Sequence, residues 1–305
     1  MNFTCYIRRS LGGIIFLFLA ACATQPAPTA TILPPPTSTR AAPTTTAQPT
    51  IQLPNQPTIE LFDGHLHYSQ DAWANYPVNS IIAILDRAGI KRALVSSTPN
   101  EGTIRLHQAD PAQFIPELRP YRTRDDVEKW FADPDIIAFI ETELRRGIYR
   151  GIGEFHLDGD EAKTPVIKRV VDLAVARDLP LHAHSDAQAI ELLFAANPRV
   201  KILWAHTGMS TPTAQVAQML ERNPNLWAET ALRYDITENG KLSAEWRALF
   251  TRFPNRFIYG TDTWVESRWQ VFPDVIATAR GWLAELPRDL ANNIASRNLE
   301  MLYGK

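Results

Sequence analysis

The sequence predicts an α/β fold, a single (β/α)8 barrel over residues 59–305, and three observations carry that expectation. From Glu60 onward, short apolar runs alternate with amphipathic stretches, which is the rhythm of βα units on a parallel sheet. Eight such runs fit into about 250 residues, the length that one barrel needs. Six of the seven histidines fall at the carboxyl ends of these runs, the face on which a barrel builds its active site. Only His107 lies elsewhere.

The expected strands are residues 60–67, 91–97, 113–119, 149–155, 179–184, 200–206, 225–231 and 256–261. Residues 78–88, 165–177, 187–195, 213–221 and 244–253 carry helical periodicity between them. A last helical region runs from Trp269 to the end, broken at Pro273 and Pro287, because proline lacks the helical N–H and crowds the preceding turn. There is no internal repeat. Gly151-Ile152-Gly153 lies inside a strand and opens no helix, which argues against a dinucleotide site.

Composition narrows the function classes. The chain is 45% hydrophobic and 21% charged, with a net charge of −2, so it offers no basic face to nucleic acid. Its two cysteines, Cys5 and Cys22, precede the barrel, which leaves the folded part without a disulfide or a thiolate metal site. Residues 1–21 read as a targeting segment: Arg8 and Arg9 precede an apolar run, residues 11–21, that is too short to span a bilayer. Leu19-Ala20-Ala21-Cys22 resembles the lipobox of bacterial lipoproteins. That resemblance implies cleavage before Cys22, lipidation of its thiol, and an exported protein anchored by lipid to the outer face of a cell membrane. The alternative is an ordinary signal peptide cleaved near Ala23 or Ala30. Residues 22–58 are dominated by Pro, Thr and Ala, and are expected to form an extended linker without a core.

The candidate site residues follow from the strand ends. On the first strand, Asp63, His65 and His67 share one face, and the two imidazoles are placed to chelate a cation at the barrel mouth. The fourth strand puts Glu154 and His156 on one face. Glu154 ends an apolar strand and needs a partner, either a metal or a salt bridge to Arg119 or Arg150. His156 is read as a substrate-side or packing residue. The fifth strand carries His184 near the mouth and His182 one layer deeper, the latter as support for the site or as a core histidine. His206 tips the sixth strand and Asp262 the eighth, where Asp262 either faces a metal or caps the next helix. Arg119, Arg122, Arg233 and Trp264 follow strands and are candidates for binding substrate. Nitrogen and oxygen ligands without thiolate suit zinc, and also manganese, iron or nickel.

His65-x-His67, His184, His206 and Asp262, in that order over residues 60–303, resemble the amidohydrolase superfamily. Leu203-Trp204-Ala205-His206-Thr207-Gly208 and Tyr259-Gly260-Thr261-Asp262 are similar to its amidohydrolase-related branch, often labelled family 2. Gly151-Ile152-Gly153-Glu154 and His184-Ser185 look more like TatD-type nucleases and phosphotriesterase-like lactonases. The resemblance implies a hydrolase that cleaves a C–O, C–N or P–O bond of a small molecule with an activated water. Asp262 would then act as general base and acid, and His206 would bind a second metal or orient the intermediate. Glu154 would bridge two metals or stand beside one. No lysine ends the fourth strand, which counts against the carbamylated-lysine variant. The same resemblance includes decarboxylases of aromatic or unsaturated acids. A lipid-tethered protein that binds a solute or metal without catalysis is the alternative from another class.

Overall fold

The computed structural model describes residues 58–304. The expected signal peptide, Cys22 and all of the linker except its last residue lie outside the described residues. Eight parallel strands pair in chain order: β1 Leu61–His67, β2 Ile90–Ser96, β3 Phe114–Leu118, β4 Gly151–Leu157, β5 Leu181–Ser185, β6 Ile202–Trp204, β7 Leu226–Glu229 and β8 Phe257–Ile258. Backbone bonds from Gly64 N to Tyr259 O (2.8 Å), Asp262 N to His65 O (2.8 Å) and His67 N to Thr263 O (3.0 Å) join β8 to β1. The barrel is therefore closed between β1, which carries His65 and His67, and the segment that follows β8 and carries Asp262. A side chain at Gly64 would strike Ile258 and the Tyr259 carbonyl, so the close approach of β8 requires glycine there.

Helices alternate with the strands: α1 Val78–Ala88, α2 Glu101–Ala109, α3 Asp135–Leu144, α4 Pro165–Ala176, α5 Ala187–Ala196, α6 Thr213–Arg222 and α7 Ala244–Arg252. α8 Glu266–Leu283, α9 Arg288–Asn292 and α10 Asn298–Tyr303 follow. Local chemistry fixes several starts. The Thr164, Asp186 and Ser243 side chains accept backbone N–H bonds in the first turns of α4, α5 and α7. Inside the barrel, Phe62, Leu94, Ile115, Leu203 and Ile258 pack with Leu299, Leu302 and Tyr303 of α10, which fills the end away from the histidines.

Three expectations need correction. Pro273 does not break the last helical region: α8 runs through it, since Pro273 faces solvent while Trp269, Phe272 and Ile276 are buried on the barrel side. That packing outweighs a proline penalty of about 3 kcal/mol. The sixth strand ends at Trp204, and Ala205–Thr207 form a turn with His206 at φ 54°, which aims its ring into the barrel mouth. Asp63 does not join the two imidazoles, because the register shifts between Asp63 and Leu66. Asp63 turns onto the eighth strand segment instead, accepting from Thr261 N (2.9 Å) and Thr261 Oγ1 (2.7 Å).

Trp130 connects this frame to the site. It is fully buried, its ring packs 4.9 Å from Phe155, and its Nε1–H donates to the His156 carbonyl at 2.9 Å. Trp130→Ala should cost about 3–5 kcal/mol, read from the denaturant midpoint. Trp130→Phe, which keeps most of the packing and loses the bond, should cost about 1 kcal/mol.

Candidate metal centre

His65 and His67 project from the end of β1, and each is oriented by a bond from its other ring nitrogen. His65 Nδ1 lies 3.0 Å from Glu229 Oε2, and His67 Nδ1 lies 2.8 Å from the Ser96 carbonyl. His206 Nδ1 lies 3.2 Å from the Ala231 carbonyl. Donation from Nδ1 leaves Nε2 of each ring as a lone pair directed inward. The Nε2 atoms of His65 and His67 are 3.1 Å apart. Two lone pairs at that distance repel unless a cation lies between them.

The carboxylates complete the cluster. Asp262 Oδ1 lies 3.5 Å from His65 Nε2 and 3.2 Å from His67 Nε2. Glu154 Oε1 lies 3.5 Å from His65 Nε2 and His206 Nε2, and its Oε2 lies 3.2 Å from His67 Nε2. Four ligands at about 2.0–2.1 Å on a tetrahedron stand roughly 3.3 Å from one another, so these spacings fit a small divalent cation. His184 Nδ1 meets Glu154 Oε1 at 3.1 Å. Arg119 donates to Glu154 Oε2 at 3.0 Å and to its carbonyl at 2.9 Å. Glu154 thus has both partners foreseen for it, the metal-competent cluster and the Arg119 salt bridge.

Electrostatics favour positive charge at this point. Burial opposes the imidazolium of His65, yet the Glu154 and Asp262 charges raise it well above the ordinary histidine range. Burial would likewise raise the Asp262 carboxyl, but His65 and His67 hold it below the usual carboxylate range. The same field that draws a proton to His65 draws a cation. His206 and Asp262 both sit at positive φ, 54° and 48°, a conformation that side chains other than glycine adopt seldom and mostly at functional sites.

A cavity of about 460 Å³ opens above the cluster, with His67, Glu154, His184 and Asp262 on its floor. Arg119, His156 and Trp264 line it as well, so the structure brings these three expected substrate-side residues to the mouth. His182 and Arg233 are not there. His182 is 1% exposed and pairs through Nδ1 with Glu117 Oε2 at 2.9 Å, its ring lying 4.5 Å from that of His65. It supports the site from below. Arg233 pairs with Asp235 at 2.7 Å and donates to the Thr207 and Thr211 carbonyls, which fastens the loop after β7. Arg122 pairs with Asp126 and Asp133.

Sequence reasoning missed Glu229 and Arg124. Glu229 is fully buried and accepts from His65 Nδ1, His206 N and Ala231 N. Its signal was present, a carboxylate ending the apolar run Leu226-Trp227-Ala228, by the logic applied to Glu154. Arg124 lines the mouth cavity and pairs with Asp71 at 2.7 Å. Nothing in its local sequence marks it.

The family model described as Amidohydrolase matches residues 63–305. No match is found among curated proteins. Among solved structures, the chain is similar to a probable 2-pyrone-4,6-dicarboxylic acid hydrolase from Acinetobacter baumannii with citric acid bound. The identity is 15% and the TM-score 0.56, over 81% of this chain and 100% of that one. It is also similar to the TatD homologue YJJV of Escherichia coli, at 18% identity and TM-score 0.56 over 81% and 99% of the two chains. A third is an amidohydrolase from Burkholderia multivorans with bound zinc, at 13% identity and TM-score 0.53 over 80% and 98%. These likenesses share the barrel fold. The chain belongs to the amidohydrolase family and is a hydrolytic enzyme of this metal-dependent group.

Glu229→Gln preserves size and removes the charge that anchors His65. Metal affinity, measured by competition with a chelating dye, should fall by about tenfold to a hundredfold.

Proposed function

We propose that this amidohydrolase cleaves an acyl C–O bond, that of a small ester or lactone, with a water activated between Asp262 and one divalent cation. The convergence of His65 Nε2, His67 Nε2, Asp262 Oδ1 and Glu154 at 3.2–3.5 Å between carboxylate and imidazole atoms carries the reading. Zinc is the cation favoured by two imidazoles and two carboxylates without thiolate. A single ion fits better than two, because the Arg119 guanidinium already occupies Glu154 Oε2, where a second ion would meet like charge. When bound, the cation supplies Lewis acidity to the scissile carbonyl and lowers the pKa of the attacking water.

The protein's own residues handle the proton and the orientation. Asp262 takes the proton from the attacking water and returns it to the leaving oxygen, as general base and then acid. His206 Nε2, 4.0 Å from Asp262 Oδ2, offers its lone pair to that water's second hydrogen. His184 and Arg119 hold the Glu154 carboxylate in place. Arg119, His156 and Trp264 form the substrate's wall at the mouth. Phosphoester cleavage fits less well. The guanidinium of Arg119, the one beside the cluster, is engaged by the buried Glu154 carboxylate and is not free to face a phosphoryl dianion at the reacting centre.

The amino-terminal reading is part of the proposal. Residues 1–21 are removed, Cys22 carries lipid, and residues 22–58 tether the domain of residues 59–305 to the outer face of a membrane. The Leu19-Ala20-Ala21-Cys22 sequence and the Pro/Thr/Ala-rich stretch after it support this. Cys22→Ser should then move the protein from the membrane fraction to the soluble extracytoplasmic fraction.

Metal analysis of protein purified without chelator should give one equivalent per chain; two equivalents would restore Glu154 as a bridge. Against a panel of esters, lactones, amides, phosphoesters and aromatic acids, ester or lactone turnover is expected. CO2 release without hydrolysis would sink the assignment. Asp262→Asn should lower kcat about 10²–10⁴-fold on the best substrate.

A further inference from the structure

A second cavity, of about 330 Å³, lies outside the barrel between the eighth strand and α8. Strand alternation explains its position. Glu229 and Ile258 point into the barrel, the first to His65 and the second into the inner apolar cluster, so the residues after them, Thr230 and Tyr259, face the helices. The hydroxyls of both are buried within the wall and do not open onto the cavity, and neither does Nε of Arg268. What the cavity meets is largely carbon, from Val271, Val275, Ala279 and Trp282 of α8 and from Ile236 after β7. The two guanidiniums beside it are already engaged, Arg233 by Asp235 and Arg268 by the Thr261 carbonyl. Glu229 and Asp63 are buried behind the same wall, which sets the cavity against an anion and suits it to an uncharged chain.

Leu232 alone lines both this cavity and the mouth cavity above the metal-competent cluster. It is half-buried, and its backbone sits at φ 58°, a conformation that residues other than glycine adopt seldom and mostly at functional sites. The loop that carries it is fastened, since Arg233 donates to the Thr207 and Thr211 carbonyls. A leucine side chain on a fixed backbone changes rotamer without moving the loop, and so opens or closes a passage between the two cavities. Exposure points the same way. Among the described residues, five large apolar side chains are exposed, and three of them, Trp264, Tyr234 and Val271, border these two cavities. Apolar surface gathered around a cleft marks a place that an apolar ligand covers.

We propose that the two cavities form one bipartite substrate site, in which an unbranched apolar acyl chain runs from the metal centre past Leu232 into the cavity against α8. Naming the chain acyl rests on the proposed acyl cleavage; the passage itself does not. Leu232 sets specificity at the passage, and Val275 and Trp282 receive the far end of the chain. The barrel's order supports this division of the substrate. Its strands pair in chain order, so the loop after β7, with Leu232, stands opposite the loop after β3, with Arg124. The acyl chain then leaves the reacting carbonyl on one side and the leaving group on the other. Each methylene that enters the apolar cavity adds a similar increment of affinity, until α8 ends the space.

Straight-chain hydroxamic acids are the probes, because the hydroxamate binds a metal and its chain stands where the acyl chain would. They are titrated calorimetrically into the full, metal-loaded protein. Octanohydroxamate should bind about a hundredfold more tightly than butanohydroxamate, from about three- to fourfold for each buried methylene. Val275→Trp, which fills the cavity against α8, should remove that gain, and Leu232→Trp, which closes the passage, should do the same. Acetohydroxamate, whose methyl group does not reach the passage, should bind Val275→Trp as it binds the unaltered protein. A gain that survives either substitution would keep the chain within the mouth cavity and overturn the proposal, as would equal affinity for the two longer probes. The passage and the scissile bond are tested apart. The gain without ester turnover supports the passage and removes the ester reading, whereas ester turnover without the gain does the reverse.

Discussion

Burying Glu229 at the end of β7 costs free energy unless its charge is answered, and the groups that answer it organise the barrel mouth. His65 Nδ1 and the backbone N–H groups of His206 and Ala231 all reach its carboxylate. Burial would raise the Glu229 carboxyl, but the His65 hydrogen bond and charge hold it below the ordinary range. One anion thereby fixes the ring orientation of His65 on β1 and the backbone of His206 beyond β6. Gly260 is part of the same constraint, since a side chain there would strike Glu229 and His65.

Asp63 does at the β1–β8 seam what Glu229 does at β7. It receives the His65 N–H at 3.1 Å as well as the two Thr261 donors, and so locks the His-x-His segment to the segment bearing Asp262. Burial pushes its carboxyl up to about 7 against those donors. The cluster therefore rests on neighbouring strands held at fixed register, and its donors are set before any ligand arrives. Preorganisation of this kind suits stabilisation of charge that develops during reaction. It also explains why His206 and Asp262 keep unusual backbone conformations: the surrounding bonds determine them more strongly than local preference does.

The barrel was legible because its signals are local and repeated. Alternation of apolar runs with helical periods is written into each βα unit. His65, His67, His184, His206, Glu154 and Asp262 were legible because polar residues ending apolar strands stand out against their context. What was not legible depends on contacts between distant segments. The sequence leaves His182 open between support for the site and the core, and only Glu117, from β3, which pairs with it beneath His65, decides its place. Arg233 follows a strand as Arg119 does, yet Asp235 and the loop carbonyls claim it for structure. Pro273 has the local chemistry of a helix breaker, and tertiary burial of its neighbours overrides that.

The charges around the cluster also constrain what enters it. Glu154, Asp262 and Glu229 are three anions in a nearly dry space, and Arg119 neutralises only one of them. A divalent cation would balance the other two, leaving a site close to neutral. Such a site gives an incoming dianion no net attraction at the reacting centre, so a charged substituent has to be carried at a distance from the scissile bond. Arg124, two-thirds exposed at the rim and paired only with the partly exposed Asp71, is the guanidinium best placed to exchange its partner for that substituent. Exposed pairs of this kind contribute little and exchange at small cost. On the proposed ester or lactone reading, the two demands on a substrate are then separate, a neutral acyl group at the floor and an anionic substituent at the rim.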